Sequence, residues 1–128
     1  MLLVDSAPII YFLDGHPEFA ARFKPLFQAH AQGRFRFAIT TVTVAEVLAG
    51  PLQSGNETLA RRYRSILQSW SPIELDVEIA ESAARLRATL RLKLPDAVQV
   101  ASALTVNAAA LVTYDRDFSR VRGLRVIT

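Results

Sequence analysis

Four acidic side chains lie where predicted strands meet predicted helices, although they are spread over nearly the whole chain. Asp5, Glu46 and Asp115 come at or near the ends of apolar runs, and Asp96 follows a proline. A carboxylate at the end of a buried strand is poorly hydrated and repels any other carboxylate nearby. If the four converge they need a cation between them, which makes them the strongest indication of function in the sequence.

The cations that suit such a site are Mg²⁺ and Mn²⁺, which bind hard oxygen ligands and keep several waters. An ion of this kind activates water and neutralises charge on a phosphodiester, and two ions about 4 Å apart hold the attacking and leaving oxygens together. The sequence leaves open whether one ion or two would bind. A thiolate site is excluded because the chain has no cysteine.

Other chemistries lack their sequence motifs. The five glycines form neither a phosphate-binding loop nor a dinucleotide fingerprint. His16 and His30 lie beside predicted helix ends, outside any zinc-protease pattern, and no motif supplies Ser6 with a base. On motifs alone, we interpret these three side chains as capping or surface residues.

The bulk properties indicate one folded domain with a basic surface. A chain of 128 residues has the length of a single domain. The net charge is +3, from 15 basic and 12 acidic residues. When the four acids are set aside, 8 acidic residues remain and the net charge of the rest is +7. A basic body around an acidic pocket suits a polyanion. No stretch has the ~20 apolar residues of a membrane span and the N-terminus resembles no signal peptide, so we expect no membrane association and a cytoplasmic location.

Short apolar strands alternate with helices, a pattern typical of a parallel sheet covered on both faces. We therefore predict a single α/β domain over residues 1–128, with a mostly parallel sheet of about five strands flanked by helices. The predicted strands are Met1–Asp5, Phe35–Ile39, Pro72–Leu75, Ala110–Thr113 and Leu124–Ile127. In such sheets ligands bind beyond the carboxyl ends of the strands, where Asp5 and Asp115 are placed.

Helix boundaries are predicted from hydroxyl caps, proline and glycine. Ser6 and Thr41 are predicted to cap the helices that follow them. A helix over Pro17–Gln32 must kink or split at Pro25, and the Gly50-Pro51 pair is predicted to end the third helix.

A further helix is predicted after Asn56, and Asp76 is predicted to cap the one after that. The first of these has an apolar stripe at helical spacing, formed by Leu59, Tyr63, Ile66, Leu67 and Trp70. Three basic residues fall off this stripe, namely Arg61, Arg62 and Arg64. A solvated helix face is the commoner explanation for such residues, and contact with RNA phosphates is the functional alternative.

Four runs in order along the chain carry a family resemblance. They are Leu3–Ser6 (LVDS), Thr41–Leu48 (TVTVAEVL), Leu94–Val98 (LPDAV) and Leu111–Phe118 (LVTYDRDF). Together they resemble the successive motifs of PIN-domain ribonucleases, and the length of the chain is most similar to that of the VapC toxins of bacterial toxin–antitoxin pairs.

The resemblance implies a Mg²⁺- or Mn²⁺-dependent endoribonuclease that cleaves RNA. The implied catalytic metal ligands are Asp5, Glu46, Asp96 and Asp115. Asp117 matches a frequent additional acid, and Ser6 matches a small polar residue that helps to orient the site. A homodimer and a small antitoxin partner are also implied.

The chain departs from the family pattern at Ala7 and Tyr114, where asparagine or another small polar residue is common. We expect the metal ligands to act nevertheless, with an altered fit to substrate. A nearby run is more apolar than one small helix layer requires, and its aromatic residues are Tyr11, Phe12, Phe19 and Phe23. They are interpreted either as core or as part of the groove that the family resemblance assigns to the antitoxin.

Each acid also has a structural explanation when it is taken alone. Asp5 could cap a helix, Glu46 could form a buried salt bridge, and Asp96 could interact favourably with a helix dipole. Asp115 could belong to a turn. These alternatives stay open at the level of sequence.

Two other classes of function remain as alternatives. One is a non-catalytic RNA-binding or scaffold protein of the same fold, which the complete set of acids disfavours. The other is a signalling receiver domain with Asp76 as phosphoacceptor, which lacks the required lysine after the fifth strand, since Lys93 precedes the fourth.

Overall fold

The strands form one five-stranded parallel sheet in the computed structural model, which describes residues 1–128. The strands are β1 (Leu2–Val4), β2 (Phe37–Thr40), β3 (Pro72–Ile73), β4 (Ala110–Val112) and β5 (Val126–Ile127). Their order across the sheet is β3-β2-β1-β4-β5. All five predicted strands are present, each shorter than predicted, and the predicted α/β class with a parallel sheet is confirmed.

Six α-helices and one 3₁₀ helix connect the strands. They are α1 (Ser6–Asp14), α2 (Lys24–Ala31), α3 (Thr41–Gln53), α4 (Glu57–Gln68), α5 (Val77–Leu90), α6 (Leu94–Thr105) and the 3₁₀ helix (Arg116–Arg120). No helix is both long enough and apolar enough to cross a membrane.

Two hydrophobic cores lie on opposite faces of the sheet. Leu3 and Leu111 belong to the core formed with α5 and α6, whereas their neighbours Val4 and Val112 belong to the core formed with α1 to α4. Adjacent side chains of a strand point to opposite faces, so two neighbouring apolar residues in each strand serve both cores. The stripe predicted on α4 also packs into the second core.

The predicted caps of the first and third helices are each wrong by one residue. Asp5, rather than Ser6, caps α1, because the Asp5 Oδ1 accepts a hydrogen bond from the Ser6 backbone N–H at 2.9 Å. Thr40, rather than Thr41, caps α3, because its hydroxyl accepts from the Thr43 N–H at 3.1 Å. Ser6 is thereby the first residue of α1 and is buried.

Both proline predictions need correction. Pro51 does not end α3, which continues to Gln53 with the proline in its last turns. Pro25 neither kinks nor splits a helix, because residues 17–23 form turns and α2 begins at Lys24. Proline at the second helical position loses no intrahelical hydrogen bond, since that N–H has no partner in a helix anyway.

The sheet order creates one reversal. The chain runs from β1 outward through β2 to β3, then crosses back to β4 on the other side of β1. The carboxyl ends of β1 and β4 are therefore adjacent, with the Asp5 N–H donating to the Val112 carbonyl at 2.9 Å. This is the place in an open α/β sheet where ligands bind.

Candidate active site

Asp5 is held by three hydrogen bonds at the carboxyl end of β1. Its Oδ1 accepts from the Ser6 N–H and from the Gln99 side-chain amide, both at 2.9 Å, and its Oδ2 accepts from the Thr113 hydroxyl at 2.8 Å. Three of the four acceptor sites of this carboxylate are thus occupied, and the unused one is on Oδ2. The orientation of Asp5 is fixed by the protein while Oδ2 can still bind a cation.

Gln99 connects Asp5 to Thr40 and Thr43 by hydrogen bonds, and the sequence analysis did not identify it. Its side chain is buried on α6, where its amide N–H groups donate to Asp5 and, at 2.8 Å, to the Thr43 hydroxyl. Its carbonyl oxygen accepts from the Thr40 hydroxyl at 2.9 Å. A lone amide in the buried run Ala97–Ala103 was the only signal available, because a buried polar group requires partners.

Glu46 joins the same network through Ser6. The Ser6 hydroxyl donates to the Glu46 Oε1 at 2.7 Å and lies 3.1 Å from the Thr43 hydroxyl. Ser6 has one proton, and the charged carboxylate takes it, so Thr43 must donate to Ser6. The buried-salt-bridge alternative for Glu46 is wrong, because the residue is exposed and the chain's ion pair joins Arg85 and Glu81.

Asp96 lies in the first turn of α6 and is partly buried. Burial is the main cause that raises the pKa of its carboxyl group, and the negative charges of Asp5, Asp115 and Glu46 raise it further. The Lys93 ammonium opposes this shift. All four acids predicted from the sequence are therefore near enough to interact electrostatically at one end of the sheet.

Asp115 and Asp117 follow β4. Asp115 caps the 3₁₀ helix, with its Oδ1 accepting from the Asp117 N–H at 2.8 Å, and its own N–H donates to the Thr113 hydroxyl at 3.0 Å. Both carboxylates line a cavity of about 170 Å³ together with Asp96. The structure therefore places Asp117 beside Asp96 and Asp115 in this cavity.

The carboxylate oxygens are of a type that suits a hard divalent cation, although they do not surround one common point. No three His, Asp or Glu side chains are arranged closely enough to hold one ion as they stand. The oxygens are nevertheless of the type that Mg²⁺ and Mn²⁺ prefer. The charges that raise the pKa of Asp96 are also the repulsion that a bound cation would relieve.

The three arginines predicted as an RNA contact lie elsewhere. Arg61, Arg62 and Arg64 are exposed on α4. Arg61 and Arg64 line a separate cavity of about 190 Å³ with Leu48, and none of the acidic site residues lines that cavity. The structure therefore does not bring these arginines together with the acids.

Tyr114, one of the two departures from the family pattern, anchors an aromatic cluster. Its ring lies 5.4 Å from that of Tyr11 and 4.9 Å from that of Phe23 between centroids, and its hydroxyl donates to the Phe19 carbonyl. Burial raises the pKa of Tyr114, and the Arg22 guanidinium over its ring opposes the shift. The tyrosine thus fixes the turns of residues 17–23 against the end of β4.

The remaining chemically capable residues are structural. The His16 Nδ1 accepts from the N–H groups of Glu18 and Phe19 at 3.2 and 3.1 Å, which confirms a capping role. The His30 ring stacks on Phe37 with centroids 4.1 Å apart. Asp76, the phosphoacceptor of the receiver alternative, caps α5 after the edge strand β3, accepting from the Ile79 N–H at 2.8 Å.

The fold and the site together define an α/β protein with a carboxylate centre at the reversal point of a parallel sheet. The family model for the PIN domain matches residues 2–124. The chain therefore belongs to the PIN domain family, and the resemblance carried by its four sequence runs is confirmed.

Solved structures with the same fold include toxin–antitoxin proteins. A chain of a toxin–antitoxin complex from Klebsiella pneumoniae is 28% identical, with a TM-score of 0.77 and coverage of 100% of this chain and 97% of that chain. VapBC2 from Rickettsia felis, bound to a DNA fragment from its promoter, gives 20% identity, a TM-score of 0.76 and coverage of 98% and 96%.

A third similar structure is VapC20 from Mycobacterium tuberculosis, described as a Sarcin-Ricin loop cleaving toxin. It is 14% identical, with a TM-score of 0.75 and coverage of 93% of both chains. At this identity the likeness concerns the fold alone. No curated protein is similar enough in sequence to match the chain.

Proposed function

We propose that the protein is a divalent-metal-dependent endoribonuclease and the toxin of a VapBC-type pair. The observation that carries this proposal is the hydrogen-bonded network of Gln99, Thr113 and Ser6, which directs Asp5 and Glu46 toward one end of the sheet. Asp115 lies close enough to Asp96 to contribute, after burial and Asp5, to the raised pKa of the Asp96 carboxyl group. A purely structural cluster of acids would be paired with bases, and these are not.

We propose that Asp5 and Asp96 would hold Mg²⁺ or Mn²⁺ and that Glu46 and Asp115 would complete the set of ligands. Such an ion would activate a water molecule and neutralise charge on the phosphodiester. Gln99 and Thr113 keep the Asp5 oxygens in place, and Ser6 does the same for Glu46. The products expected from the family resemblance are a 5′-phosphate and a 3′-hydroxyl.

An antitoxin partner is part of the proposal and is supported by the similar structures, which include toxin–antitoxin complexes. The surface proposed to receive it is the region of α1 and the following turns. Phe12 and Phe19 are 37% and 40% exposed there, and a cavity of about 310 Å³ is lined by Phe12, His16 and Lys24 among others. We also propose that the protein forms a homodimer, as the resemblance implies.

The proposal is tested by incubating the purified protein with structured RNA, with Mg²⁺ and with EDTA. We expect cleavage only with Mg²⁺, and we expect Asp5→Asn or Asp96→Asn to slow it by at least about a hundredfold because a ligand charge is lost. Glu74→Gln, which neutralises an exposed acid outside the site, is the matched control and should cleave like the wild type.

Two results would decide against this mechanism. Cleavage at full rate in EDTA would show that no divalent cation is needed. RNA binding without cleavage under any metal condition would favour the non-catalytic alternative.

A further inference from the structure

The cavity that contains Asp96, Asp115 and Asp117 also has a basic side. Its volume is about 170 Å³, and its other lining residues are Arg91, Leu92, Lys93 and Arg120. Three cations and three acids therefore share one small cavity, in which only one lining residue is hydrophobic. Among the other cavities, only the one on α4 has residues of both charges, with the single acid Glu57 beside Arg61 and Arg64.

The basic side chains are not used to neutralise the acids directly. The ion pair of the chain joins Arg85 and Glu81 at 2.9 Å, and Arg85 lines a different cavity. Arg91, Lys93 and Arg120 are all exposed. Their charges thus face solvent at the edge of the acidic site and are free to bind an anion.

A hydrogen bond to the backbone holds one of these cations at the cavity. The Arg120 Nε donates to the Asp117 carbonyl at 3.3 Å, which draws its side chain toward the acids. Arg91 ends α5 in a left-handed conformation with φ of 55°, and the Arg87 Nε donates to the Leu92 carbonyl at 3.3 Å beside it. Lys93 immediately precedes α6, which carries Asp96.

We propose that Arg91, Lys93 and Arg120 form a phosphate clamp that positions the backbone of single-stranded RNA against the carboxylates. This inference rests on the proposed function. Guanidinium groups bind phosphate oxygens in a planar, two-pronged geometry and an ammonium group adds a point charge. Once a cation occupies the acids, the cavity as a whole attracts an anion, and the substrate supplies one at every nucleotide.

The test compares two triple variants that remove the same charge. One is Arg91→Gln/Lys93→Gln/Arg120→Gln, and the control removes the arginines of α4 as Arg61→Gln/Arg62→Gln/Arg64→Gln. Both are made in the Asp5→Asn protein, so that binding is measured without cleavage. The probe is a short fluorescein-labelled single-stranded RNA in Mg²⁺ buffer, followed by fluorescence anisotropy over a series of salt concentrations.

We expect the clamp variant to lose at least about tenfold in affinity, and its salt slope to fall by about 2, since each lost contact with a single strand removes about 0.7. The α4 variant should change affinity by less than about threefold. A loss of phosphate contacts alters the salt slope, whereas a general loss of stability does not. If the clamp variant does not fold, as judged by circular dichroism, Lys93→Gln/Arg120→Gln replaces it and leaves the left-handed Arg91 in place.

Equal losses in the two variants, or an unchanged slope in the clamp variant, would overturn this inference. If the wild type still cleaves RNA in that case, the proposed function survives and the clamp alone is wrong. Absence of RNA binding by the Asp5→Asn protein, together with absence of cleavage by the wild type, would overturn both. Arg120→Lys, which keeps the charge but not the two-pronged geometry, should recover part of the affinity that Arg120→Gln loses, and no recovery would count against a contact with phosphate.

Discussion

The acidic site has two halves that differ in how the protein holds them. The inner half, Asp5 and Glu46, is fixed by side-chain hydrogen bonds from Gln99, Thr113 and Ser6. The outer half, Asp96, Asp115 and Asp117, has no such bonds from side chains and shares its cavity with three cations. The inner half is therefore oriented by the protein itself, whereas the outer half is repulsive and would gain most from a bound cation.

This difference explains why the carboxylates do not surround one common point. A carboxylate that accepts hydrogen bonds from buried donors keeps its orientation whether or not a cation is bound. Carboxylates without such donors move apart under mutual repulsion. The variants below test this distinction, beginning with the largest expected effect.

Gln99→Leu should damage the inner half most. The substitution removes the donor to Asp5 and leaves the buried hydroxyls of Thr40 and Thr43 short of a partner. We expect a loss of about 2–3 kcal/mol in stability, a fall in Tm of roughly 6–15 °C, and a loss of at least about tenfold in RNA cleavage.

The matched control is Gln68→Leu, at an exposed position at the end of α4. Calorimetry and initial rates should show it close to the wild type. An equally stable, equally active Gln99→Leu protein would show that the inner half needs no hydrogen-bonded support.

Ser6→Ala should have an intermediate effect. It removes the hydrogen bond to the Glu46 carboxylate without touching those to Asp5. We expect cleavage to fall by about tenfold with a stability loss of about 1 kcal/mol. Ser65→Ala, on the exposed surface of α4, is the control. An unchanged rate of RNA cleavage in Ser6→Ala would show that Ser6 does not contribute to the site.

Asp96→Asn should have the smallest effect on stability, and in the opposite direction. The folded-state pKa of Asp96 is raised, mainly by burial and then by Asp5 and Asp115. The folded chain thus binds a proton at Asp96 more tightly than the unfolded chain does. Its free energy of unfolding therefore falls as pH rises from the ordinary pKa of aspartate through the raised pKa of Asp96. Replacing the charge should raise Tm in EDTA at neutral pH by about 1–3 °C.

The same variant should lose the stabilisation that Mg²⁺ gives to the wild type, since binding to the folded state alone raises Tm. Thermal melts at several pH values with and without Mg²⁺ measure both effects. A lower Tm of Asp96→Asn in EDTA would contradict the view that the outer half is repulsive without a cation.

The acids at the strand ends were predictable from the sequence, whereas the hydrogen bonds that Gln99 makes to Asp5 and Thr43 were not. Asp5 and Asp115 follow apolar runs, and parallel strands bring such ends to one edge of a sheet. Gln99 bonds to partners 94 and 56 residues away, and helical periodicity carries no information about contacts at that distance. The sequence therefore indicated the acids and, through the family resemblance, Ser6, but not Gln99 and Thr113, which orient Asp5.

The errors in detail have similar causes. Adjacent polar pairs such as Asp5-Ser6 and Thr40-Thr41 contain two possible caps, and the geometry of the preceding strand decides between them. The arginines of α4 show that a helical pattern predicts exposure without predicting what lies nearby. Arg91, Lys93 and Arg120 come from separate segments and become a group only through the fold.

The most direct test of the central claim is a crystal structure of the protein soaked in Mn²⁺, with anomalous scattering used to locate the ion. The account predicts an anomalous peak for an ion coordinated by Asp5 and Asp96. Asp115 should move toward the ion relative to the metal-free structure, and the hydrogen bonds of Asp5 to Gln99 and Thr113 should be retained. Carboxylates that stay apart with no peak between them at saturating Mn²⁺ would contradict it.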